Sequence, residues 1–357
     1  MKRSRSRLRS RVQCLRVCAF ASVAVSSSTF SLNYLRKQSA IRLVPLQDES
    51  PLGHLCAAFT YAKVKYIERA ISLLQVEELL TTSTFDQYTF SCSNQTIVSG
   101  IVHASRDNLC CLLAQLRRQP FLDRIVLVTH GHDNRGSPIG SESAASTCAH
   151  ELLSIAAVKA YFVSQHSSTF RHHKLKYLPI GLGTSTLKIG LDKDDIIELM
   201  KDSLVMLQRA WMENSCILLP ISSSLNLHGA SSGTLRREKL SSTMHSLNLN
   251  VVTDYGSHFA KQTLMTYGRS MFVFSPKGTH HDCWRHYEAL LMGAIPIVDE
   301  HFTLREVFAH LPVMFVSNWS TILWHSLIDV SANYIHAPPD PFFLTDSYWR
   351  LLVSSYM

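Results

Sequence analysis

The first 47 residues contain no carboxylate: Asp48 is the first acid, after ten basic residues (Lys2, Arg3, Arg5, Arg7, Arg9, Arg11, Arg16, Arg36, Lys37 and Arg42). This asymmetry accounts for the whole formal charge of +8, because the rest of the chain holds 25 basic against 27 acidic residues, a net of −2. A nucleic-acid partner needs its positive surface on the folded body, so that class is excluded. A long apolar run is also missing near the N-terminus. The stretch VCAFASVAV (17–25) falls well short of the ~20 residues that span a bilayer. No C-x-x-C pair occurs among the nine cysteines, which removes the usual zinc-ribbon and redox motifs, and no internal repeat is visible.

What is present reads as a folded, enzyme-sized body. At 357 residues, with 46% hydrophobic and 17% charged residues, the chain can bury one or two domain cores and is too apolar to be disordered. The basic head ahead of a short apolar run reads as a secretory signal peptide or a short, positive-inside signal anchor, so membrane attachment through the N-terminus is expected. An Arg- and Ser-rich organelle transit peptide is the alternative. In an oxidising lumen some cysteines would pair, and otherwise they are small buried hydrophobes. The sequons at Asn94 and Asn318 agree with a lumenal chain.

Along the body, strand-like and helix-like segments alternate. Helical spacing is expected over 54–80, a strand over 96–104, and a helix stopped by Pro120. A buried strand then opens into the polar loop of 124–136, a helix covers 145–157, and two strands lie near 160–168 and 175–183. The second half repeats this order: helix 192–213, strand 216–224, helix 234–248, a strand near 250–256, and helix 257–267. Such alternation predicts an α/β fold with parallel sheets. The glycine-bearing stretch 181–186 is the expected linker between residues 48–180 and 181–357.

The most informative stretch is FVFSPKGTHHDCWRHYEALLMGAIPIV (272–298). MFVFS and AIPIV read as buried parallel strands joined by a helix, with Asp282 as its N-cap and Gly293 as its stop. Ligands of open α/β sheets bind outside the carboxyl ends of the strands, which places the loop 275–282 at a site. A helix N-terminus there suits a phosphate, with Gly278 permitting close approach and Lys277 adding a full charge. On a helical wheel Cys283, Trp284, Tyr287, Leu290 and Leu291 form an apolar arc with Glu288 at its edge, where its carboxylate could take sugar hydroxyls. The plainer reading of Glu288 is an i,i+3 surface pair with Arg285.

The run 274–298, followed by LPVMFVSNWSTI (311–322), resembles the donor-site signature of exostosin-like glycosyltransferases and their GT-B relatives. IVLVTHGHDN, YFVSQ, KLKYLPIGLG, the RREK of 236–239 and the YWRLL of 348–352 extend the resemblance over roughly 124–352. It implies a GT-B-like fold, two Rossmann-like domains facing a cleft, with a nucleotide-sugar donor in the C-terminal half and a glycan or glycoprotein acceptor in the N-terminal half. Lys277, Gly278, Asp282, Arg285 and Glu288 become donor-site residues, with Arg236 or Arg237 as a second phosphate contact. No metal or other cofactor is expected, because helix dipole and cations can stabilise the departing diphosphate. The sequence departs from the family at Tyr287, where a Trp is usual, and at Thr279-His280-His281, where the loop is usually richer in Gly and Asn. With the basic head, the resemblance implies a type II Golgi membrane protein.

His132 and Asp133, at a strand end, are candidates for a general base toward the acceptor, beside the plainer reading of a polar turn. Two other functions compete. A metal-dependent hydrolase would use the His/Asp clusters at 130–133 and 280–282. A non-catalytic relative would bind a nucleotide sugar or glycan without turnover.

Overall fold

A computed structural model describes residues 51–81, 90–92, 97, 100–119, 121–129, 139, 144–166, 169–182, 191–213, 218–223, 251–253, 260–278, 280–319 and 324–357. These lie within one compact unit, Pro45–Met357. Two all-parallel sheets organise it, as the alternation of segments predicts.

The first sheet holds β1 (Gly100–His103), β2 (Ile125–Thr129), β3 (Val158–Ser164) and β4 (Leu175–Leu178), in the order β1-β2-β3-β4. The β-branched run IVLVT of β2 is buried at every position, as expected of a strand covered on both faces. Helix α2 (Leu109–Arg118) follows β1, and α3 (Ala144–Ser154) follows β2. Leu109, Leu112, Leu113 and Leu116 line the buried stripe of α2, and Arg117 and Arg118 sit favourably at its carboxyl end. Cys110 and Cys148 join the two helices by a disulfide.

The second sheet holds β5 (Leu219–Ser223), β6 (Val251–Thr253), β7 (Ser270–Phe274), β8 (Ile295–Asp299) and β9 (Met314–Val316), in the order β6-β5-β7-β8-β9. The chain grows from β5 to β6 on one side, then returns to place β7 on the other side of β5. The carboxyl ends of β5 and β7 therefore flank a reversal of strand order, the place where open parallel sheets bind ligands. Helices α5 (Ala260–Gly268), α6 (Trp284–Leu291) and α7 (Phe302–Val307) alternate with the later strands, and α8 (Trp324–His336) and α9 (Asp346–Ser354) close the chain. The helix expected at 234–248 lies outside the described residues.

Both ends of the described body cross over. Helix α1 (Pro51–Leu74), first in sequence, packs on α8 and on α4 (Lys193–Met212). Its Lys63 is fully buried, and Nζ donates to the carbonyls of Tyr267 (3.0 Å) and Ser270 (2.7 Å), satisfying one acceptor at the end of α5 and one at the start of β7. At the other terminus Tyr356 packs edge-on against Phe162 of β3, and Arg124 donates to the Met357 carbonyl. The segments that pass between the halves meet at one place. Leu80 N donates to Leu344 O (2.9 Å), Leu182 N to Leu80 O (3.0 Å), and Asp346 N to Glu78 O (2.9 Å). Gly181 belongs to this junction: its φ is +68°, and a Cβ would stand 2.6 Å from the Leu80 carbonyl oxygen.

Candidate functional site

Strand β7, buried throughout, ends at Phe274, and Ser275 to Cys283 leave it at the reversal of strand order. The N-cap of α6 is Cys283, not Asp282, and its thiol makes no capping bond. A capping oxygen must reach an amide one turn ahead in its own helix. The Asp282 carboxylate faces elsewhere: it accepts from the backbone amide of Ile180 (2.9 Å) and from the Tyr287 hydroxyl (2.9 and 3.0 Å). Burial pushes its pKa up to about 6, against the pull of His286 and these donors.

The loop is held from inside by groups that spacing did not single out. Lys277 N donates to Asp299 Oδ2 at the end of β8 (2.6 Å), and Trp319 Nε1 donates to Oδ1 of the same carboxylate (2.9 Å). His286, fully buried, ties both limbs of the loop. Its Nδ1 lies 2.7 Å from Ser275 Oγ and its Nε2 lies 2.9 Å from the His281 carbonyl. A carbonyl only accepts, so Nε2 carries the proton and Nδ1 accepts from the serine hydroxyl. Burial lowers the His286 pKa to about 4, so the ring is neutral at pH 7. The signal for His286 was available: it shares a helical face with Ala289 and Leu290.

The buried positions of α6 are His286, Tyr287, Ala289, Leu290 and Leu291, while Trp284 is 38% exposed. The expected arc is corrected accordingly. At 100° per residue Glu288 lies roughly 150° from the centre of the buried face, on the outward side with Trp284 and Arg285. Counting His286 as polar had turned the arc away from its true centre. Glu288 is nonetheless half-buried. Arg285 is half-buried too, and its Nη2 donates to the Pro276 carbonyl (2.9 Å), tying helix to loop. Its Nε is buried without a hydrogen-bond partner.

Lys277 and Gly278 are half-buried at the head of the loop, and a Cβ on Gly278 would meet nothing within 4 Å. The chain's own packing therefore does not require glycine there; the missing side chain leaves space beside the backbone. Beyond the loop the rings of His281 and His301 stack with centroids 3.9 Å apart. Burial lowers the His301 pKa, and the positive charges of Lys277 and Arg171 act in the same direction. His132, Asp133, Arg236 and Arg237 lie outside the described residues, as does the 130–133 cluster. No group of three or more His, Cys, Asp or Glu among the described residues is placed to hold a metal ion.

Facing this loop are the carboxyl ends of β3 and β4. Gln165, His166, Tyr177 and Leu178 line a narrow gap whose other wall is Asp282, Thr303, Leu304 and Val307. His166 Nε2 lies 3.2 Å from the Phe170 carbonyl, and burial lowers the ring's pKa to about 4. Gln165 has φ 53°, a left-handed conformation that costs a side-chain-bearing residue about 1–2 kcal/mol.

No family profile and no curated protein matches the chain. Among solved structures, eight chains match. One is an α,α-trehalose-phosphate synthase (UDP-forming) from Burkholderia vietnamiensis, 11% identical, with 84% of this chain and 79% of that chain covered at a TM-score of 0.32. A superposition that loose transfers no residue roles.

Proposed function

We propose that this chain is a glycosyltransferase of GT-B type, moving a sugar from a nucleotide-diphosphate donor to a glycan or glycoprotein hydroxyl. The carrying observation is the loop 275–283: it leaves β7 at the reversal of strand order and leads into α6, with Lys277 and Arg285 as cations and open space beside Gly278. Together these suit a diphosphate.

In this reading Lys277 and Arg285 neutralise the departing diphosphate, and Glu288 with Arg236 or Arg237 completes the donor site. Asp282 positions the loop through Ile180 and Tyr287. His132 or Asp133 serves the acceptor hydroxyl as base if configuration inverts. The exostosin-like assignment and metal independence rest on the motif of 274–298. The Cys110–Cys148 disulfide and the basic head favour the secretory pathway, with attachment to the Golgi membrane through the N-terminus. No helix among the described residues is long and apolar enough to cross a membrane.

A thermal-shift screen of nucleoside diphosphates and nucleotide sugars tests the donor site without knowledge of the acceptor. Stabilisation by one nucleotide series, reduced but not abolished in Lys277→Ala, is expected. No stabilisation by any nucleotide would refute the reading. Binding without donor hydrolysis or transfer would instead make the chain a non-catalytic relative.

A further inference from the structure

The YFVSQ stretch (161–165) ends in a residue that the fold does not use. Ser164 closes β3, and Gln165 leaves it with φ 53°. Glycine or asparagine is the ordinary occupant of that left-handed conformation, and a long side chain there carries a conformational cost. The residue is half-buried and its Oε1 is shut away from solvent, yet no donor among the described residues reaches that oxygen. A buried oxygen without a donor is disfavoured, so two costs coincide at one glutamine. Gln165 also walls the gap whose opposite side includes Asp282, in the loop that follows β7. The gap holds about 10 Å³ of water-sized space, close to what one water or one hydroxyl group fills.

We infer that Gln165 is a hydroxyl-binding residue: its amide oxygen receives one O–H group lodged in the gap between the carboxyl ends of β3 and β4 and the loop after β7. Strained backbone held at a residue that the packing does not require is characteristic of ligand contacts, where the bound group offsets the cost. The chemistry of the side chain sets the class of ligand, because an amide oxygen takes a donor and repels an anion, and the size of the gap admits a hydroxyl. A sugar hydroxyl and a water molecule share that chemistry. The transferase reading favours the sugar, since the opposite wall belongs to the loop assigned to the donor. The inference deepens that reading by naming one contact to the sugar that is to be glycosylated, and it rests on that reading for the sugar's role alone.

Two variants of the full chain test it: Gln165→Met keeps the length and deletes the amide, and Gln165→Gly suits the left-handed backbone. Thermal unfolding is measured for each, and binding of a panel of methyl glycosides is followed by saturation-transfer NMR without nucleotide. If a sugar hydroxyl is the ligand, Gln165→Met melts higher than the parent chain, because the oxygen without a donor is gone, and both variants bind the glycoside about three- to tenfold more weakly. If water is the ligand, Gln165→Met melts lower, and a high-resolution crystal structure shows a water on the Gln165 amide that the variant lacks. A higher midpoint in Gln165→Met with glycoside binding unchanged, or with none in either protein, overturns the inference. So does a lower midpoint without such a water, or a crystal structure in which a protein donor reaches Oε1. Should Gln165→Met fail to fold, glycoside binding by Gln165→Gly decides. Nucleotide stabilisation with unaltered glycoside binding in the variants sinks this inference alone, whereas glycoside binding through Gln165 with no response to any nucleotide sinks the transferase reading alone.

Discussion

The Asp282 carboxylate accepts the Ile180 backbone amide at 2.9 Å across 102 residues of sequence. One carboxylate thus fixes the loop after β7 to the end of the first sheet, where the chain turns toward Gly181. Asp282→Ala strands the Ile180 amide and the Tyr287 hydroxyl, each costing about 1–3 kcal/mol. Urea denaturation should show this loss, and the folded fraction should bind the donor more weakly. Unchanged stability would mean that the bond contributes nothing.

Acid should destabilise the fold before its exposed carboxylates titrate. His286 and His166 fall from the ordinary 6.5 to about 4, so their stabilisation is full above 6.5 and is lost as pH drops toward 4. Asp282 acts in the opposite sense. Its pKa rises from 3.8 to about 6, a penalty present above 6 and relieved as pH falls from 6 to 3.8. Two histidines outweigh one carboxylate, for a net loss of about 2–4 kcal/mol between pH 6.5 and 4. Unfolding midpoints measured across this range should fall, and His286→Gln should flatten the slope.

Glu288→Gln keeps shape and removes charge. If Glu288 holds the donor, losing a charge-assisted bond costs about 1.5–3 kcal/mol, a ten- to hundred-fold drop in kcat/KM. An outward-facing residue contributes little to folding, so the midpoint of unfolding should stay within a degree or so. Full activity in this variant would leave a surface role beside Arg285 as the better account. Lys277→Ala should reduce kcat more than it raises KM, since charge on the diphosphate grows as the glycosidic bond breaks.

Lys63→Ala removes a buried amine from the Tyr267 and Ser270 carbonyls and opens a space beneath Gly293, whose Cβ position is 3.2 Å from Lys63 Cγ. A loss of about 2–4 kcal/mol is expected. Calorimetry showing no change would mean that water replaces the amine without penalty.

The strand, loop and helix around 270–298 were legible because an unbroken apolar run, a polar interruption and a helical period are local properties. The partner of Asp282 was not, since nothing near residue 282 encodes the amide of Ile180. The buried face of α6 was misjudged for a chemical reason: His286 looks polar, yet its two ring nitrogens are both satisfied by the loop, so it enters the core. The crossing of α1 to the second sheet was equally hidden. Its apolar spacing announces a helix without saying which helices cover it, and Lys63, a residue that normally marks a solvated face, is what joins it to α5 and β7.

The junction of Leu80, Leu182 and Leu344 concentrates long-range connections in very few residues. Leu80 offers its amide to Leu344 and its carbonyl to Leu182, so three stretches of chain far apart in sequence are fastened at one point. Gly181 sits at the knot with no room for even a methyl group. A single added methyl at a residue that lines neither wall of the gap would therefore disturb all three stretches at once.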